Sequence, residues 1–213
     1  MVAHSDISIP CGPERLPGFL DIPDDASGVI IFAHGSGSGK ESPRNQLVAR
    51  ELHKAGFATV LFDLLTEKET EHYRQNVFDM KLLTGRLDAA VSWAQSEKRL
   101  SGLPIGLAGA STGAGAALNV AGARGNLIKA VVSRGGRPDL AEPEMLEKVT
   151  APTAFIVGGD DTDVIGMNKR AAELVRAKKR LILVPGATHV FEEPGTVEQA
   201  AEHMVSWFSE YLR

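Results

Sequence analysis

A chain of 213 residues, 43% hydrophobic and 23% charged, has the size of one folded domain and too much apolar material for a disordered segment. A net charge of −4 and a pI near 5.9 exclude the dense basic face that a nucleic-acid partner requires. One cysteine, Cys11, rules out an internal disulfide and a cysteine-rich zinc site.

Cys11 sits in a Pro-Cys-Gly-Pro turn and has no evident chemical role. No apolar run approaches the ~20 residues of a membrane span. The start, MVAHSDISIP, lacks the basic and apolar regions of a signal peptide. A cytoplasmic location with no membrane partner is therefore expected. The 22 glycines in 213 residues exceed the usual share of about 7%, so either the chain is floppy or many positions need special backbone shapes.

Along the first 28 residues, Ile7, Ile9, Leu16, Phe19 and Ile22 alternate with polar residues or prolines, which predicts an antiparallel edge ribbon. Short runs of consecutive apolar residues follow at 29–33, 58–62, 105–108, 130–132, 153–157 and 181–184. Runs that do not alternate belong to strands buried on both faces, hence to a mainly parallel sheet. Helical spacing is predicted over 45–55, 76–95, 114–123, 167–177 and 196–212. The alternation of strand and helix implies a doubly wound α/β fold, read as one domain over 1–213. Residues 67–74 are polar enough for an exposed loop or helix start, and the basic run 176–180 reads as a solvated helix end.

The first glycine loop, His34-Gly35-Ser36-Gly37-Ser38-Gly39, directly follows a predicted strand. It resembles a phosphate-binding loop only at Gly39-Lys40. His34 stands where that motif needs its first glycine, and Glu41 where it needs the magnesium-binding Ser or Thr. The loop suits an oxyanion donor instead, with the Ser36 N–H as candidate. His34 reads as a structural imidazole. The second signal is Gly109-Ala110-Ser111-Thr112-Gly113, a G-x-S-x-G turn between a strand and a small-residue helix. Small neighbours let the two backbones approach, and the helix N-terminus offers the Thr112 N–H to a developing oxyanion.

A serine hydroxyl needs a base, and the base needs an orienting acid. Both should lie past the C-terminal ends of strands, where ligands bind in such sheets. His189 follows the 181–184 run. Gly158-Gly159-Asp160-Asp161-Thr162-Asp163 follows the 153–157 run. Asp161 is the favoured acid, with Asp160 and then Asp163 as competitors. The order Ser111, aspartate, His189 is the one this fold class uses.

Together HGSGSG, GASTGAG, GGDDTD and PGATHVFEEPG resemble the α/β-hydrolase superfamily, and within it the small, lidless dienelactone hydrolase-like branch. The resemblance runs from about residue 28 to the end. It implies the acid at the last position of the Gly-Gly-x-Asp turn, Asp161, with no cofactor or metal and small ester or lactone substrates. Dienelactone hydrolases proper carry a cysteine nucleophile where this chain has Ser111, which favours a more general serine esterase.

The expected reaction is hydrolysis of a small carboxylic ester or lactone through an acyl-enzyme. Acyltransferase, thioesterase or peptidase chemistry on the same residues and a non-catalytic binding protein are the alternatives. A dinucleotide-binding reading of Gly109, Gly113 and Gly115 fails, because that turn lies mid-chain without the following acidic pattern. Arg44, Arg134 and Arg137 are candidates for binding an anionic substrate group. A structural salt bridge, for instance to Asp160 or Asp139, is the competing role. Half of the 22 glycines lie in or beside loops that follow predicted strands, which favours tight turns over floppiness. Oligomeric state is not legible.

Overall fold

The computed structural model describes residues 1–72 and 74–212. The ribbon forms as predicted. β1 (Val2–Cys11) and β2 (Glu14–Pro23) pair antiparallel from Val2 with Pro23 to Cys11 with Glu14. Six strands follow: β3 (Gly28–Ala33), β4 (Phe57–Phe62), β5 (Ile105–Ala110), β6 (Ile128–Arg134), β7 (Thr153–Gly158) and β8 (Lys179–Val184). They run parallel to one another, and the eight strands order as β1-β2-β4-β3-β5-β6-β7-β8, with β2 joining β4 antiparallel.

The runs without alternation have the predicted cause. Every residue of β3 and β4 is buried. Between the strands lie α1 (Pro43–Lys54), α2 (Glu67–His72), α3 (Met80–Ser96), α4 (Thr112–Arg124), α5 (Pro143–Lys148), α6 (Thr162–Leu174) and α7 (Thr196–Tyr211). Val29 and Ile31 join one core with Leu83, Leu87 and Val91 of α3 and Leu118 of α4. Ile30 and Phe32 join the opposite core with Val48 and Leu52 of α1 and Met204 and Phe208 of α7.

Three helix bounds differ from the sequence reading. The 76–95 pattern breaks into a 3-10 turn, Arg74–Phe78, and then α3, because Asp79 caps α3 by accepting from the Leu82 N–H at 3.0 Å. Helix α6 starts at Thr162 rather than 167. Burial of Val164 and Asn168 outweighs the poor propensity of its β-branched and glycine-bearing first turns. Because α6 ends at Leu174, the basic run is no helix end. It leads into β8, whose first residues are Lys179 and Arg180. Short α5 had no sequence signal. Within 67–74, Glu67–His72 form α2, while Tyr73 lies outside the described residues.

This topology places the site. Chain order reverses about β3, with β4 on one side and β5 on the other. At such a switch point the loops after the two strands part and leave a crevice at their C-terminal ends. Here those loops are the His34–Gly39 glycine loop and the serine turn. Packing is tight at Gly113, where a Cβ would lie 2.1 Å from the Ala33 carbonyl oxygen. A side chain there would push α4 off the end of β3.

Candidate active site

Ser111 caps α4 with φ 47° and ψ −123°. Only Phe191 shares a positive φ among the described non-glycine residues. Such a backbone is sterically costly and persists only where its surroundings hold it. Here the Ser111 carbonyl accepts from the Ala114 N–H at 3.0 Å and the Arg137 N–H at 2.9 Å. The turn lifts the Ser111 side chain out of the sheet end, where its Oγ lies 3.2 Å from His189 Nε2.

His189 Nδ1 lies 2.8 Å from Asp161 Oδ2. An ionised carboxylate only accepts, so Nδ1 carries the proton and Nε2 presents its lone pair to the serine. Asp161 is the N-cap residue of α6, and its side chain is 13% exposed. The competing Asp160 uses its N–H on the Ala187 carbonyl, 3.0 Å away, and Asp163 lies inside α6. The histidine loop is braced by Glu193, which accepts from the Thr188 hydroxyl at 2.6 Å and the Thr188 N–H at 3.1 Å. Those bonds hold the Glu193 carboxyl below its usual range.

The glycine loop is held from two sides. His34 Nδ1 donates to the Gly35 carbonyl at 2.8 Å, and its Nε2 accepts from the Leu64 N–H at 2.9 Å. Both ring nitrogens are thus committed to main chain. Burial pushes the His34 pKa down, so the ring is neutral near pH 7. From the end of β4, Asp63 accepts from the Lys40 N–H at 2.8 Å. Gly35 then passes so close to Ser111 that a Cβ on it would lie 2.8 Å from the Ser111 Cβ. Among the described residues, neither the Ser36 N–H nor the Thr112 N–H has an acceptor.

A cavity of about 200 Å³ opens over Ser111. Its lining includes Ser36, Ser38, Ser42, Asn45, His189 and Phe191, together with Arg44 and Arg134. No acidic side chain lines it among the described residues. The three candidate arginines separate. The Arg137 guanidinium holds both oxygens of Asp139, at 2.8 and 2.7 Å, the local salt bridge that competed with substrate binding, and it does not line the cavity. Its contribution to the site is the main-chain bond to Ser111. Arg44 lies at the rim, 3.2 Å from the exposed Glu192.

Arg134, the last residue of β6, is 8% exposed and pairs with no carboxylate among the described residues. Its Nη2 donates to Asn45 Oδ1 at 2.8 Å, while its Nη1 has no partner. Burial, and then the charge of Arg44, pushes its pKa down to about 10. Asn45, Asp63 and Glu193 were missed in the sequence, because each acts across a turn or between elements with no motif to mark it.

A model of the dienelactone hydrolase family matches residues 16–212. The chain belongs to the dienelactone hydrolase family. Among solved structures, this family member superposes on a dienelactone hydrolase from Anabaena variabilis ATCC 29413 with a TM-score of 0.96 and 47% identity, covering 100% of this chain and 99% of that one. Est1E from Butyrivibrio proteoclasticus, at 18% identity and a TM-score of 0.81 over 96% of this chain and 98% of that one, shares the fold. Two Mycobacterium tuberculosis proteins, provisionally named phosphoribosyl transferases, are 49% identical over 207 residues, 97% of this chain. The match covers 46% of each, so the chain spans about half the length of these curated relatives.

Proposed function

We propose that this member of the dienelactone hydrolase family is a serine hydrolase that cleaves small carboxylic esters or lactones through an acyl-enzyme. The observation that carries the reading is the chain of contacts from Ser111 Oγ, on its strained strand-to-helix turn, through His189 to Asp161. His189 Nε2 takes the serine proton as Oγ attacks the carbonyl carbon. Asp161 keeps the proton on Nδ1 and stabilises the imidazolium. The Ser111–His189 contact of 3.2 Å is long for a hydroxyl donor, as is common before substrate binds.

The Ser36 and Thr112 N–H groups receive the negative charge that develops on the carbonyl oxygen. Collapse of the intermediate expels the alcohol, which takes the proton from His189. Water then attacks the acyl-enzyme with the same histidine as base. A cavity of about 200 Å³ suits short acyl and alcohol groups. The transferase name of the Mycobacterium tuberculosis relatives belongs to chains of which this one matches 46%, and the serine–histidine–aspartate alignment lends that chemistry no support.

Ser111→Ala is expected to lower hydrolysis of p-nitrophenyl acetate by about 10⁴–10⁶-fold and to abolish labelling by a fluorophosphonate. Full activity in that variant, or labelling at another residue, rejects the assignment.

A further inference from the structure

The cavity lining carries two arginines and, among the described residues, no acidic side chain. Among the described residues, Arg134 is nine-tenths buried, makes one side-chain hydrogen bond, to an amide oxygen, and leaves Nη1 unpartnered. An unpaired buried guanidinium is costly, and a bound anion would offset that cost. Arg44 adds a second positive charge. Its partner Glu192 is 69% exposed and outside the cavity lining, and such rim pairs hold weakly and exchange readily.

Arg134 lies against the first turn of α1 through Asn45. That helix end is also unsatisfied. Its first turn holds no acidic residue, and the Ser42 side chain makes no capping bond. The first helical bond is donated by Gln46, so the Arg44 and Asn45 N–H groups have no intrahelical acceptor. Ser38, Ser42, Arg44 and Asn45 all line the cavity beside Ser111.

We propose that the open end of α1, Arg134 and Arg44 form a subsite for a phosphate monoester, so that the substrate is a small carboxylic ester that also carries a phosphate. The proposal rests on the serine-hydrolase reading for its scissile ester, but the subsite itself is independent of Ser111. A carboxylate would cancel one of the two guanidinium charges. A phosphate monoester, at about −1.5 to −2 near pH 7, cancels both and accepts from more donors at once. Two guanidiniums, the Ser42 hydroxyl and the α1 N–H groups offer that surplus of donors, and a helix N-terminus favours the anion.

The test uses inorganic phosphate as probe on the whole chain, by isothermal titration calorimetry, with acetate as the carboxylate control. Phosphate should bind wild type and Ser111→Ala alike, and about tenfold or more tighter than acetate. Arg134→Gln and Arg44→Gln should each weaken phosphate binding by about tenfold or more. Arg44 is at the rim, so its variant reads the subsite even if Arg134→Gln fails to fold. Phosphate binding no tighter than acetate, or unchanged in Arg44→Gln, overturns the subsite. Fluorophosphonate labelling run in parallel separates the two readings. Labelled protein that ignores phosphate sinks the subsite alone. Unlabelled protein that binds phosphate sinks the hydrolase reading and keeps the subsite.

Discussion

A Cβ placed on Gly135 would lie 2.6 Å from the carbonyl oxygen of His189. The histidine loop therefore rests on bare backbone just past the end of β6. Gly135 also has φ +50° and donates its N–H to the Ile156 carbonyl at 2.8 Å. Gly135→Ala must carry a side chain in the left-handed region and displace the loop. A stability loss of about 1–3 kcal/mol in urea unfolding is expected. The kcat for p-nitrophenyl acetate should fall as His189 shifts away from Ser111. Wild-type kcat in the folded variant would show that this contact does not position the histidine.

The two adjacent aspartates should differ sharply. Asp161→Asn can no longer hold His189 in the required tautomer, and kcat is expected to fall by about 10³–10⁴-fold. Asp160→Asn keeps its main-chain bond to Ala187 and should stay within about threefold of wild type. Steady-state hydrolysis by the two purified variants decides this. The reverse ranking would move the acid to Asp160.

His34 makes the fold sensitive to acid. Its pKa in the folded chain lies below the ordinary 6.5, so the unfolded chain binds the proton more readily. The stability this group contributes is present above about pH 6.5 and is lost as pH falls through the lower, folded-state value. Protonation also abolishes the lone pair that accepts from Leu64. His34→Gln should flatten the pH dependence of urea unfolding below about pH 6.5. An unchanged slope would show that His34 does not report the titration.

Arg134 should be a cost to the free protein. Arg134→Met removes a buried charge without a carboxylate and fills similar volume, so a gain of about 1–3 kcal/mol in unfolding free energy is expected. Destabilisation in chemical denaturation would mean that its bond to Asn45 outweighs the buried charge.

What could be read in the sequence was whatever is encoded locally. The β3 and β5 runs and their glycine turns identify themselves, because doubly buried strands need unbroken apolar residues and a tight turn needs small ones. Ser111, His189 and the aspartate turn stand out for the same reason, each following a strand end, and the structure brings Ser111, His189 and Asp161 together. The arginines were not separable. Arg137 is two residues from Asp139 and forms a local pair. Arg134 meets a residue 89 positions away, and its burial follows from β6 pairing with β5, where Arg134 sits beside Ala110. Asp63 reaches the glycine loop across 23 positions. Such contacts are set by sheet order, which no short stretch of residues contains.

Strand β8 is one of the two edge strands of the sheet, joined to β7 and partly open to solvent along its length. His189 hangs from this margin, whereas Ser111 is anchored between β5 and the buried α4. Marginal strands open at lower free energy than a sheet's interior. Denaturant should therefore extinguish ester hydrolysis while the far-ultraviolet circular dichroism is still native. For this chain, catalytic output would be an early warning of fraying, ahead of any optical sign that the fold is coming apart.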